Sequence, residues 1–324
     1  YKLTTGSYNN IMGYLAGRDG IISGGYNNIL GYYAGYEITS GNYNNIFGAE
    51  AGHSLTTGHH NNIMGYRAAY AGIMTGNGYN NIFGNQAGYR MTTGTHNNIL
   101  GYQAGYSMTT GHYNNIMGYM AAWSGQIVGS GYNNIFGNKA GYKLTSGANN
   151  NILGQQAGYE ITSGNYNNIL GYQAGKAMTT GQYNHLIGYQ AGYNLTTGKY
   201  NNIMGYRAAF SGNMTGDGYN VIIGYKAAYD ITSGQYNTLL GYQAGAEITT
   251  GQYNDAIGYE AGDGNTTGNY NVSMGYRAGW YAANLTNTIC IGKGATVTGD
   301  NMCRIGNNDI KVGIGTSSPG YKLH

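Results

Sequence analysis

Charged residues are scarce in this chain. Its 324 residues include 15 lysines and arginines and 12 aspartates and glutamates, which make up 8% of the sequence and leave a net charge of +3. Nucleic-acid binding depends on clustered lysine and arginine, so this composition excludes a nucleic-acid partner. Hydrophobic residues reach 41%, which is enough to bury a core and argues against a disordered chain.

Cysteine, proline and long apolar runs are also scarce. The two cysteines, Cys290 and Cys303, fall at different positions of neighbouring repeats and on opposite strand faces, which disfavours a disulfide between them. No stretch is apolar over the length that spans a membrane, so we expect no membrane span. The seven histidines lack cysteine or carboxylate partners at metal-ligand spacing, so we expect neither a metal nor another cofactor.

Glycine and tyrosine are abundant instead, with 60 and 37 residues, and they belong to a repeat. The motif YNNIxGYxAG begins at Tyr8 and recurs, usually every 17 residues, up to the copy that begins at Tyr270. When the first residue of each copy is counted as position 0, position 1 is always asparagine, position 5 glycine and position 8 alanine. A fixed period of this length indicates a repeat architecture.

The repeat predicts an all-β fold. A unit this short cannot hold two packed helices, and its glycine content disfavours helix. Short apolar clusters separated by glycine and asparagine are typical of two short strands joined by tight corners. We therefore expect a parallel β-solenoid, a β-roll or β-helix, of about 18 coils, in which each coil is completed by its neighbours.

The substitution pattern suggests which strand face lies inside. Position 4 is apolar in every repeat, from Met12 to Ile291, and we expect it to point into the coil. Position 3 lies on the opposite face and is also apolar, from Ile11 to Leu239. A strand that is apolar on both faces is usually buried on both, so a second copy of the chain should cover position 3. The predicted contacts between copies are Ile46, Ile63, Ile82, Ile99, Ile116 and Ile135.

Three repeats, the fourth, seventh and twelfth, are 19 residues long. In each of them alanine replaces the glycine at position 9 and an aromatic residue follows it, which predicts a two-residue bulge at one corner. An exposed ring on such a bulge can stack on a sugar or a protein, although the same rings could simply cover a wider corner. The candidate ligand contacts are Tyr70, Trp123 and Phe210.

The organisation of the chain changes near its C-terminal end. Residues 1–286 form the main array, and residues 287–307 change to a spacing of 14. The segment IGKGATVTG, residues 291–299, resembles the β-roll repeat in the heads of trimeric autotransporter adhesins. The main array resembles a longer version in phage tail-fibre-like and bacterial surface proteins. Residues 308–324, with VGIGTSSP and then YKL, resemble the lead-in to the intramolecular chaperone domain of phage tail fibres and endosialidase-type spikes.

These resemblances imply a homotrimeric fibre in the extracellular space, on a virion or a cell surface. We expect a structural shaft that mediates attachment rather than an enzyme, with a cell-surface glycan or protein as its receptor. Lateral packing of solenoids into a larger fibre or sheath is the alternative geometry. Because Tyr1 falls in the middle of a repeat, we also expect the chain to be part of a longer polypeptide.

Two other functions remain open. Threonine recurs in the TTG turns from Thr4 to Thr266, and regular threonine rows on flat solenoids are typical of ice-binding proteins. Asp230 and Glu247 fall in the same column of neighbouring repeats, about 5 Å apart by strand spacing, a separation that suits a retaining glycosidase. The tyrosine columns at positions 0, 6 and 10 either stabilise the coils by ring stacking or present an aromatic surface to glycans.

Overall fold

The computed structural model describes residues 2–3, 5–19, 21–280 and 284–308, and none of these residues is helical. The chain divides into two compact units, Tyr1–Leu170 and Gly171–His324. Each unit is a stack of parallel coils, ten in the N-terminal unit and eight in the C-terminal unit. The prediction of an all-β parallel solenoid is confirmed. All but the first residue of the predicted connector, 308–324, lies outside the described residues.

Each coil contributes one strand at positions 2 to 4. The N-terminal unit contains β1 (Lys2–Leu3), β2 (Asn10–Met12), β3 (Ile21–Ile22), β4 (Asn28–Leu30), β5 (Asn45–Phe47), β6 (Asn62–Met64), β7 (Asn81–Phe83), β8 (Asn98–Leu100), β9 (Asn115–Met117), β10 (Asn134–Phe136), β11 (Asn151–Leu153) and β12 (Asn168–Leu170). The C-terminal unit contains β13 (His185–Ile187), β14 (Asn202–Met204), β15 (Val221–Ile223), β16 (Thr238–Leu240), β17 (Asp255–Ile257), β18 (Val272–Met274), β19 (Ile289–Ile291) and β20 (Cys303–Ile305).

The repeat period sets the pairing of the strands within each unit. Neighbouring strands pair in parallel, so that Asn98, Ile99 and Leu100 lie beside the equivalent residues one repeat later, in β9. Where the spacing falls to 14 residues, Ile289 pairs with Cys303 in the same way. Equivalent positions therefore form columns along each unit, about 4.8 Å apart from coil to coil.

The prediction of two strands in each repeat is wrong for most coils. Beyond the short β1–β3 pair, the TTG segments of the described coils form turns and isolated bridges rather than paired strands. The reason is the density of left-handed residues, because at least four of them interrupt each repeat of the main array and extended backbone is limited to three residues. In the sixth repeat they are His96 (φ 59°), Gly101 (φ 134°), Gln103 (φ 53°) and Gly105 (φ 57°).

The predicted strand faces are reversed in the structure. Position 3, not position 4, points into the coil, where it packs with the alanine at position 8 and the apolar residue at position 12. In the sixth repeat these are Ile99, Ala104 and Met108, each at most 1% exposed. The isoleucines proposed as contacts between copies are thus core residues of a single chain, since a side chain with no exposed surface cannot form an interface. They are Ile46, Ile63, Ile82, Ile99, Ile116 and Ile135.

A ladder of buried asparagines at position 1 runs beside the apolar core. The amide nitrogen of Asn97 donates to Oδ1 of Asn80 at 3.0 Å and to the carbonyl of Gly111 at 2.7 Å. Oδ1 of Asn97 in turn accepts from the backbone N–H of Asn114 at 2.9 Å. Because each side chain bonds to the coil before it and the coil after it, the ladder satisfies polar groups that the corner would otherwise bury unpaired.

Candidate functional site

The most prominent surface of the N-terminal unit is a column of exposed apolar side chains at position 4. Where exposure is greatest, at Met12, Leu30, Met64, Leu100 and Met117, it lies between 38% and 69%. We call this set the outer apolar column. Its members are Met12, Leu30, Phe47, Met64, Phe83, Leu100, Met117, Phe136, Leu153 and Leu170.

A column of asparagines at position 2 lies beside the outer apolar column. Asn98 donates from Nδ2 to Oδ1 of Asn115 at 2.7 Å and accepts from Asn81 at 2.8 Å. The stacked asparagines therefore form a hydrogen-bonded ladder along this face. Because each amide uses one donor and one acceptor within the column, these side chains can lose water at a smaller cost than unpaired amides.

Stacked rings at position 0 continue this outer face of the N-terminal unit. Tyr43, His60 and Tyr79 stack with centroid separations of 4.9 and 4.6 Å, and His96 stacks between Tyr79 and Tyr113 in the same column. No aspartate, glutamate, lysine or arginine occurs at positions 0, 2, 4 or 6 of the ten repeats in this unit. These four positions, which form the outer face, therefore carry no acidic side chain, lysine or arginine.

Three open hollows interrupt the outer face of the N-terminal unit. Their volumes are about 440, 230 and 290 Å³. Phe47 borders the first and second hollows, Phe83 the second and third, and Phe136 the third. Met12 and Leu30 line the first, Met64 the second, and Leu100 and Met117 the third.

The aromatic residues of the long repeats do not project from the coils. Each is half-buried in the column at position 10 and has a ring on both sides. Trp123 lies between Tyr106 and Tyr142, at 5.7 and 5.4 Å, and its Nε1 donates to Gln103 at 3.1 Å. Tyr70 and Phe210 are enclosed in the same way, by His53 and Tyr89 and by Tyr193 and Tyr229.

The expected location of the bulge is thus wrong by several residues. The extra residues extend the turn that follows the aromatic, and the turn projects at Gly76, Gly129 and Gly216, each with φ between 72° and 74°. A Cβ added at Gly76 or Gly129 would meet no atom within 4 Å. The signal for this location was the glycine that replaces the second threonine or serine of the turn.

Ring stacking also affects the interpretation of the tyrosine columns as a glycan surface. Seven contacts between successive rings join Tyr36 to Tyr159 at position 10. A sugar stacks on the face of an aromatic ring, but inside such a column both faces are covered by neighbouring rings. The columns therefore expose ring edges, and stabilisation of the coils is the role that their geometry supports.

The threonine rows do not present a regular array of free hydroxyl groups. In most of the described turns the first threonine is half-buried and donates its hydroxyl proton to a backbone carbonyl of the next coil, as Thr92 does to Thr109 at 3.2 Å. Thr145 and Thr249 make the equivalent bonds, at 2.9 and 3.1 Å. The long repeats also interrupt the row, because Thr56 faces Met74 there instead of a threonine.

The acidic residues of the C-terminal unit do not form a metal site. No group of three or more potential metal-ligating side chains occurs among the described residues. Asp230 accepts a hydrogen bond from Ser211. Other acidic side chains form ion pairs with the neighbouring coil, with Arg67 bound to Glu50 at 2.6 Å and Arg277 to Glu260 at 2.7 Å.

Asp263 stands out among the acidic side chains. It occupies position 10 one repeat after Ala246, which replaces an aromatic residue in that column, and its Oδ1 is buried without a hydrogen-bond partner. Burial, and then the negative charges of Glu247 and Glu260, raise the pKa of Asp263 to about 6. The folded unit therefore favours the protonated form of Asp263. The stabilisation that comes from this preference is fully present below about pH 4 and is lost as the pH rises through 6.

Replacing Asp263 with asparagine should stabilise the C-terminal unit at neutral pH. The rise in the pKa of Asp263 corresponds to a free energy of about 3 kcal/mol. Because solvent partly screens this side chain, we expect the asparagine variant to gain only about 1–2 kcal/mol in free energy of unfolding at pH 7.5. The gain should disappear at pH 4, where the native side chain is also neutral. Thermal unfolding at the two pH values measures this difference, and an equal gain at both would show that charge is not its cause.

Comparison with known proteins adds no family to this description. No family model matches the chain, and no curated protein matches it significantly in sequence. Within the described parts of the chain, no helix is long and apolar enough to cross a membrane.

Proposed function

We propose that this chain is a structural shaft of an extracellular fibre that serves in attachment, of the kind found in phage tail fibres or bacterial surface adhesins. The observation that carries the proposal is the repetition of one uncharged outer face on all ten coils of the N-terminal unit. A repeated surface suits lateral assembly and multivalent contact better than it suits a single reaction centre. Copies of the same chain are the proposed partners, with a glycan or protein on a cell surface as the receptor.

The internal bonding of the coils supports a mechanical role. Asparagine ladders, ring columns and backbone hydrogen bonds all join a coil to its neighbours, as at Asn97 and Tyr106. The free energy of unfolding of such a stack is approximately the sum of the stability of each coil and the energy of its contacts with the next coil. Coils can therefore be added or removed as units, which suits a part whose role is to provide length.

Removing one complete repeat should leave the protein folded and functional. Deletion of residues 43–59, 96–112 or 236–252 joins position 16 of one repeat directly to position 0 of another. Thermal unfolding, and binding of labelled protein to bacterial cells and to a glycan array, should then match the full chain. We expect each deletion to change the free energy of unfolding by about 1 kcal/mol or less, which corresponds to a change of only a few degrees in the melting temperature.

Deletion of residues 96–104, half a repeat, is the matched control. It brings core positions opposite surface positions and should unfold the neighbouring coils. If one whole-repeat deletion abolished cell binding while the other two preserved it, activity would lie in a local site and the shaft proposal would be rejected.

The ice-binding alternative has less support, because the threonine hydroxyl groups already donate to backbone carbonyls. An ice-binding face needs a regular, flat array that is free to order water. Measured thermal hysteresis in the purified protein would nevertheless favour ice binding over the shaft.

A further inference from the structure

We propose that a second copy of this chain covers the outer face of the N-terminal unit, in antiparallel orientation, with its phenylalanines in the hollows of the first copy. This inference rests on the proposed structural role and names the partner of the outer face. It concerns position 4, whereas the sequence pattern alone predicts the contact at position 3.

The outer apolar column is large enough for a stable interface. The eight coils from Met12 to Phe136 extend over roughly 38 Å at about 4.8 Å per coil, and five of their position-4 side chains are between 38% and 69% exposed. A contact strip about 20 Å wide along this length reaches the roughly 800 Å² per partner of a standard interface. Exposed apolar patches on monomers rarely exceed about 300–600 Å². A surface of this size with no charged side chain is therefore expected to be covered.

Two properties of the face select another copy of the same chain as its cover. The face repeats once per coil, about every 4.8 Å, and a second copy has the same period along its whole length. The face also offers no aspartate, glutamate, lysine or arginine to a charged partner. A second copy is equally uncharged, so that its burial leaves no unpaired ionic group.

The positions of the phenylalanines distinguish the two symmetric ways of packing the faces. A symmetry axis parallel to the stack, as in a dimer in register or a trimer, keeps equivalent coils level. Phe47, Phe83 and Phe136 would then each meet their own equivalents, and hollow would face hollow. Interiors pack at the density of organic crystals, so empty space of this size disfavours an arrangement in register.

A twofold axis perpendicular to the stack gives better complementarity. When the axis lies between Met64 and Phe83, the phenylalanines of one copy reach all three hollows of the other. A cavity of about 150 Å³ holds a benzene ring, so each hollow has room for a phenyl group. The resulting pairs are Met12 with Phe136, Leu30 with Met117, Phe47 with Leu100, and Met64 with Phe83.

Chemical cross-linking tests this arrangement directly. The full chain is prepared with Leu30→Cys and Met117→Cys, in a background with Cys303→Ser to remove the exposed native thiol. Within one chain these two positions are five coils apart, about 24 Å, which is beyond the reach of a short bis-maleimide. We expect a covalent dimer in which peptide mass spectrometry finds position 30 of one copy joined to position 117 of the other.

Leu153→Cys in the same background is the matched control. It belongs to the same column but lies beyond the overlap of the two copies, so it should give no cross-link. Links between equivalent positions (30 to 30, 117 to 117 or 153 to 153) would overturn the antiparallel arrangement in favour of one in register. Absence of any link in a chain that is folded by circular dichroism would overturn the interface itself.

The strength of the contact provides a second measurement. Sedimentation equilibrium should show that Leu100→Asp raises the dimer dissociation constant at least tenfold. The control variant Thr93→Asp places the same charge at an exposed residue on another face and should leave the dissociation constant unchanged. Equal dissociation constants for the two variants would contradict the proposal. Because these measurements report association alone, loss of cell binding with intact cross-links would reject the attachment function without rejecting the interface.

Discussion

Replacing Ile99 with aspartate should unfold the coils around it, whereas replacing the adjacent Leu100 with aspartate should leave the fold intact. Ile99 is 1% exposed and Leu100 is 45% exposed, although both are apolar residues of the same three-residue strand. In Ile99→Asp the carboxylate would be buried without a partner, and the smaller side chain would leave a cavity. We therefore expect the free energy of unfolding to fall by about 5 kcal/mol or more. In Leu100→Asp the charge remains in water, and we expect the free energy of unfolding of the isolated chain to fall by less than about 1 kcal/mol.

Thermal unfolding followed by circular dichroism separates the two variants, measured in dilute protein so that self-association does not contribute. Ile116→Asp, one coil further along the stack, should behave like Ile99→Asp because Ile116 is also fully buried. A folded, monomeric Ile99→Asp protein would contradict the assignment of position 3 to the core. It would restore position 3 as a contact between copies.

Replacing Gly101 with alanine should be nearly as damaging, even though it adds only one methyl group. Gly101 has φ of 134°, a conformation that residues with a side chain rarely adopt. A Cβ built there lies 2.5 Å from the carbonyl oxygen of Gly118 and 2.9 Å from its carbonyl carbon. These neighbouring atoms belong to the backbone and cannot move without shifting the next coil. We therefore expect backbone strain and steric collision together to lower the free energy of unfolding by about 4 kcal/mol.

Gly76→Ala is the control for the conformational part of that loss. Gly76 also has positive φ, at 73°, but a Cβ there meets nothing within 4 Å. We expect Gly76→Ala to cost only about 1 kcal/mol, as measured by the same unfolding experiment. Similar losses for the two variants would mean that close packing between coils is not the reason for glycine at position 5.

Much of the candidate surface could be found in the sequence, but its side of the strand could not. The sequence identifies positions 3 and 4 as apolar columns. Alternation shows that they face opposite ways, without showing which way is inward. Variation in side-chain volume is the available signal, because position 3 is isoleucine in all ten repeats of the N-terminal unit, while position 4 changes among methionine, leucine and phenylalanine. A close-packed interior tolerates such changes poorly.

The candidate ligand contacts show a similar limit. The spacing correctly identifies the two extra residues of each long repeat, but it predicts Tyr70, Trp123 and Phe210 on the bulge that the extra residues create. The structure instead continues the ring column through these residues and places the extra length at Gly76 and its equivalents. Stacking between rings one repeat apart is a contact between coils, and the spacing along one repeat does not reveal it.

The sequence by itself determined the period, the parallel pairing and the columns, because a constant spacing places equivalent residues beside each other in any solenoid. It also determined which columns can bond internally, since asparagine amides and tyrosine rings a coil apart fall within contact distance. Only the tertiary structure decided which apolar column fills the coil. That choice depends on the left-handed turns at positions 0, 5, 7 and 9, which rotate the three-residue strand so that isoleucine meets the alanine and the position-12 residue of its own coil. The same rotation leaves the outer apolar column in solvent.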